Sequence, residues 1–301
     1  MTSLSMPGVR AGARTRRSAL PVVVGRRRHA LEWFGGGAAL AFVVSFVGAD
    51  VLELHHDLYL LIYFTTVGTF LATFFAHTRR DLVSMFRLNL PWSVGVGAIV
   101  AFALARTVLN DPSTAHPSGA FYVFELAWRG LAYGTVDALA LFVFPAAVAY
   151  LLMNGDRTGT KRKLAFAGLT LVLSFGITAT YHLGYAQFRG GDLVKPELGA
   201  VFANIPAVLT GNPAGAVLAH DVFHLTANTH AYHSGVFLPP DLTGYAERGG
   251  GTVGLGLAAA WIAAAGGLVW WQRRRLFLPA DQATDSDRSG RSSLRALRRP
   301  S

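Results

Sequence analysis

The chain has 301 residues, of which 52% are apolar and only 15% charged, against roughly 25% charged in ordinary soluble domains. It contains no cysteine, which excludes disulfides, thiolate metal sites and cysteine nucleophiles and leaves histidines and carboxylates as metal ligands. The net charge of +10 sits in the two tails, so it reads as an orientation and lipid-headgroup signal rather than a nucleic-acid-binding face.

Residues 1–29 carry Arg10, Arg14, Arg16, Arg17 and Arg26 to Arg28 with no acid, and are expected to form a disordered cytoplasmic tail. Apolar runs then follow at 31–48, 58–76, 89–108, 137–153, 163–184 and 251–271. Each approaches the ~20 residues needed to cross a hydrocarbon core. With so many spans in one chain, the expected fold is all-α: a polytopic transmembrane helical bundle of 6 to 8 spans over 30–272, in contact with the lipid bilayer. The Ser/Arg-rich stretch 273–301 is expected to be a second disordered cytoplasmic tail.

Arg79, Arg80 and Arg87, and the cluster Arg157, Lys161, Arg162 and Lys163, mark connections on the same inner side as both tails. This places the chain in a cell membrane with both termini cytoplasmic. The segment 121–153 is too long for one ordinary span, so it is expected to enter as an interfacial or broken half-helix near 121–135, with a kink at Pro145. The segments 197–210 and 213–230 turn at Asn212-Pro213. They form either two spans or a re-entrant pair. On this reckoning His55, His56, His116, His182, His220, His224, His230, His233 and Glu125 fall at or near the outer side, and His29 and His77 at the inner side.

Polar residues recur with helical spacing in three places. Glu125, Arg129, Tyr133 and Asp137 make one stripe; ionisable groups at membrane depth usually face the protein interior and mark function, although an orienting salt bridge has the same pattern. Ser174, Thr178 and His182 make a second. His220, His224 and Asn228 make a third, and two histidines spaced by four can chelate one metal ion. His230 and His233 form a further pair near the helix end. His55, His56 and Asp57 read as a solvated loop.

FELAWRG at 124–130 resembles the first motif of the CAAX-protease and bacteriocin-processing family of intramembrane proteases, with Phe124 where that family has the first of two glutamates. The resemblance extends to His182 and to the His-x-x-x-Asn formed by His224 and Asn228. It implies that Glu125 activates water, Arg129 positions it, and His182, His224 and Asn228 support the transition state of peptide hydrolysis. HDVFH at 220–224 also resembles the late His-x-x-x-His of progestin-receptor and ceramidase-like hydrolases, which implies a zinc site, although their other ligand positions are not identifiable here; if zinc is bound, three ligands from His182, His220, His224 and Glu125 leave an open position for water. The expected partners are the bilayer and a membrane peptide or lipid substrate. A non-enzymatic metal- or proton-binding protein and an inactive scaffold remain as alternatives.

Overall fold

The computed structural model describes residues 20–190 and 193–232. The final apolar run at 251–271, the tail 273–301, His233 and most of the N-terminal tail lie outside the described residues. Seven longer helices follow in order among those described: α1 (20–51, closing in a π-helical turn at Phe46–Val51), α2 (His56–Arg87), α3 (Leu90–Leu109), α4 (Gly119–Leu152), α5 (Gly159–Leu183), α6 (Val194–Thr210) and α7 (Ala214–His230). A short 3-10 turn, Ala186–Gly190, follows α5. No strand occurs among the described residues. The apolar run first visible at 31–48 is the later part of α1, whose helix already begins at Leu20.

Helices α1 to α5 each contain a stretch long and apolar enough to cross a membrane. Large apolar side chains point outward along them, Ile99, Phe102, Leu164 and Val172 among the most exposed, while Ser93, Glu125, Asp137, Ser174 and Asn204 are buried. A water-soluble bundle avoids that arrangement, and lipid favours it. The fold is therefore an all-α multi-pass membrane bundle.

The boundaries follow local chemistry. Asn89 in the left-handed region separates α2 from α3, and Pro91 lies in the first turn of α3, where its missing donor costs nothing. Asn154 and Gly155, both at positive φ, end the α4 trajectory, and Gly211 at φ 73° ends α6. In the connection after α4, the Asp156 carboxylate accepts from the Thr158 hydroxyl at 2.7 Å and backbone N–H at 3.1 Å, which holds its carboxyl below the usual range.

α4 is the most enclosed of the five long helices, and it differs from the broken entry expected at 121–135. It runs without interruption from Gly119 to Leu152, taking up its length in two π-helical segments, Leu126–Ala132 and Leu139–Val143. Pro145 follows the second. A proline ring displaces the hydrogen bond to the carbonyl four residues earlier, here Leu141, and that oxygen instead accepts from Ser174 Oγ on α5 at 2.6 Å. Asn204 Nδ2 on α6 donates to the same hydroxyl at 2.8 Å. The proline thus becomes a three-helix junction rather than a break.

The turn between α6 and α7 docks at the basic end of the bundle. Asn212 Nδ2 donates to the Phe86 and Leu88 carbonyls at 2.8 Å, Asn89 Nδ2 donates to Thr210 O at 2.9 Å, and Arg157 donates to Gly211 O. At the other end of α7, His230 Nε2 donates to Asp111 O at 2.8 Å. The α6–α7 pair therefore runs the length of the bundle instead of dipping in from one side. Small residues let it approach α3: a Cβ on Gly97 would lie 2.4 Å from Gly215 O, and Gly215 N donates to Ser93 Oγ at 2.9 Å.

Candidate metal centre between α4 and α7

α4 and α7 lie antiparallel, and their two polar stripes face each other rung by rung. Tyr232, just past the end of α7, donates to Glu125 Oε2 at 3.2 Å. Two turns beyond Glu125, the Tyr133 ring packs edge-on against His224 with centroids 4.9 Å apart. One turn further, His220 Nε2 lies 2.9 Å from Asp137 Oδ2. Gly130 and Gly134, on the same side of α4, permit this closeness: a Cβ on Gly134 would come within 2.9 Å of Asp221 Oδ1 and 3.2 Å of its Cα.

The rungs at Asp137 and His224 converge into one cluster. His224 Nε2 lies 3.1 Å from His220 Nε2, and the ligand atoms of Asp137, His220 and His224 all fall within 4.8 Å of one another. Asp137 and His224 are each only 4% exposed. Tyr63 on α2 donates to the second carboxylate oxygen, Asp137 Oδ1, at 2.8 Å, fixing its orientation. Behind the cluster stands a buried chain of tyrosine hydroxyls: Tyr133 to Tyr181 at 2.8 Å, Tyr181 to Tyr185 at 2.8 Å, and Tyr185 to Tyr59.

These residues fit a divalent transition metal. Tetrahedral zinc with bonds to nitrogen near 2.0–2.1 Å sets neighbouring ligand atoms about 3.3 Å apart, close to the spacings seen. His220 Nε2 also faces two partners at once. An imidazole nitrogen carries either a proton or a lone pair, so one N–H cannot serve both Asp137 and His224, whereas a cation seated among the three would satisfy all of them. The His/His/carboxylate set suits zinc and excludes the all-oxygen coordination favoured by calcium or magnesium.

The other residues singled out in the sequence are distributed more widely. Glu125, 1% exposed, pairs with Arg129 Nε at 3.1 Å, and the Arg129 guanidinium lies 4.7 Å from the centroid of the Tyr232 ring. Twelve residues separate Glu125 from Asp137, about 18 Å along a helix rising ~1.5 Å per residue. His182 Nδ1 donates to Thr178 O at 2.8 Å, and its ring lies edge-on to Tyr181 and Phe188. Asn228 Nδ2 donates to His224 O at 2.8 Å. The structure thus groups Glu125 with Arg129 and Tyr232, groups His220 with His224 and Asp137, and leaves His182 and Asn228 outside the convergent ligand set.

Two parts of the centre were not singled out by sequence reasoning. In the sequence Asp137 stands only as the end of a stripe, and the tyrosines do not stand out as a group. The signal for Asp137 was present: antiparallel neighbours pair the last residue of one stripe with the first of the other. Nothing in local spacing marks Tyr63, because it comes from a helix distant in sequence.

Comparison with known protein families, characterised proteins and solved structures finds no match to this chain. The fold defines it as an all-α multi-pass membrane protein.

Proposed function

We propose that the protein is a membrane-embedded, zinc-type hydrolase acting on a membrane peptide or lipid, with its metal held by Asp137, His220 and His224. The observation that carries this reading is the convergence of three ligand atoms, from two antiparallel helices, within 4.8 Å in a buried polar centre. Three protein ligands leave a coordination position for water, whose pKa a bound zinc lowers to about 7. The chain's own residues orient the centre: Tyr63 holds the carboxylate, the α4 glycines bring the histidines in, and the surrounding helices exclude bulk water.

The test is metal analysis of the purified, tag-free chain. Wild type is expected to retain or take up about one equivalent of zinc at this centre. Asp137→Asn, nearly isosteric, and His224→Gln are expected to lose it while keeping the helical content of wild type. A wild-type chain that binds no zinc at these residues overturns the reading.

A metal-free reading rests on a different observation: Glu125 is a buried carboxylate held by Arg129 and Tyr232, within the FELAWRG motif that resembles the glutamate-dependent intramembrane proteases. Because Glu125 lies far along α4 from Asp137, the two readings separate. Loss of turnover in Glu125→Gln, with full turnover in Asp137→Asn, favours the glutamate mechanism.

A further inference from the structure

We infer that the basic end of the bundle carries a second, solvent-accessible transition-metal site, built on His29 of α1 and His77 of α2. Their Nε2 atoms lie 3.3 Å apart, the spacing of two nitrogens sharing one tetrahedral ion, about 3.3 Å for bonds near 2.0–2.1 Å. The two rings meet edge-on, centroids 5.2 Å apart, at the wall of a cleft of about 270 Å³ that Trp33, Asp81, Tyr150 and Asn154 also line.

The protonation pattern around His29 favours a metal. Its Nδ1 lies 3.4 Å from Glu32 Oε2, and a carboxylate there keeps the proton on Nδ1 and the lone pair on Nε2. This is the outer support that metal-binding histidines commonly have. Trp33 Nε1 donates to that same Nε2 at 3.0 Å, so the nitrogen is unprotonated, and a metal ion there takes the lone pair that the indole N–H occupies without it. Glu32 is itself held by Arg28 Nε at 2.9 Å, which balances one of the nearby positive charges. Asp81, one helical turn after His77, lines the same cleft and places a carboxylate near the two imidazoles, within reach of a bound ion through water.

This site stands apart from the buried centre. His29 is on α1 and half-exposed, its side chain 50% accessible, so an ion held there exchanges with solution. The ligand type, two imidazoles with a carboxylate near, selects zinc, copper or nickel over magnesium or calcium. The function it fits is collection of a transition-metal ion at the membrane surface.

The test uses the full chain, tag-free, in detergent or a lipid nanodisc, stripped of metal and titrated with Zn²⁺ alone. Wild type is expected to bind an equivalent that EDTA removes rapidly. His29→Ala/His77→Ala is expected to lose that rapidly exchanging equivalent with unchanged thermal unfolding, since both side chains are exposed. Glu32→Gln is expected to weaken it 10- to 100-fold, as loss of outer-shell partners does. Asp137→Asn is expected to leave it intact, so failure of the buried centre and failure of this site are read separately. The inference is overturned if the double histidine variant retains the rapidly exchanging equivalent with wild-type affinity.

Discussion

Tyr63 shows how one side chain can decide what a buried carboxylate does. An aspartate deep in a membrane bundle is costly unless its oxygens are satisfied, and Asp137 divides its two: Oδ1 accepts from Tyr63, while Oδ2 faces His220. Tyr63→Phe removes the hydroxyl and keeps the ring against Tyr133 and Tyr181. Packing is then nearly conserved while the carboxylate loses its orientation. The expected result is a 10- to 100-fold weaker affinity for zinc at the buried centre, measured by competition with a chelating dye, with far-ultraviolet circular dichroism unchanged. An undiminished affinity would mean that the Tyr63 bond does not organise the ligands. At this scale the histidines were legible in the sequence, because the residue type alone announces ligand chemistry. Their partner Asp137 was legible only as the end of a stripe, because an aspartate is equally at home in a salt bridge.

At the scale of helices, the centre depends on how near α7 can come to α4, and two glycines one turn apart test this differently. A Cβ on Gly130 would meet the far end of the Leu225 side chain at 2.7 Å, which can swing aside. A Cβ on Gly134 would meet the Asp221 carboxylate at 2.9 Å, its Cα at 3.2 Å, and His224 Cβ at 3.4 Å. Backbone yields only by moving the helix. Gly134→Ala is therefore expected to cost about 1–3 kcal/mol of overpacking and to loosen the metal site, while Gly130→Ala is nearly silent. Thermal unfolding and zinc affinity measured on both variants check this, and equal effects would refute the helix-separation argument. The polar stripes on α4 and α7 were readable from four-residue spacing, since that period survives folding. The unbroken course of α4 was not, because its π-helical segments, and the Ser174 hydroxyl that takes up the carbonyl freed by Pro145, depend on neighbouring helices.

For the whole molecule, the sequence conveyed the class through its long apolar runs. The structure unites His29, His77, Asp81 and Asn154 in one cleft and joins the end of α1 to the turn after α5 through Asp50 and Arg189, while His220, expected near the outer side, lies beside Asp137 six residues into α7 from its basic-end start. What the periodicity could not convey was whether the 197–230 pair runs the length of the bundle, because length and hydropathy are borderline and only contacts at the turn decide it. The orientation in the membrane is a separate physical question, and the absence of cysteine makes it clean to ask. Thr158, beside the basic cluster after α4, and Ser113, between α3 and α4, are both exposed. Since positive loops are retained on the cytoplasmic side, Ser113→Cys in intact cells is expected to react with a membrane-impermeant maleimide. Thr158→Cys is expected to react only after the membrane is opened. The reverse pattern would turn the bundle over, placing the His29 and His77 cleft outside the cell and the Glu125 end inside. Labelling of both positions from the same side would contradict the helix order itself, because α4 has to carry the chain from one end of the bundle to the other.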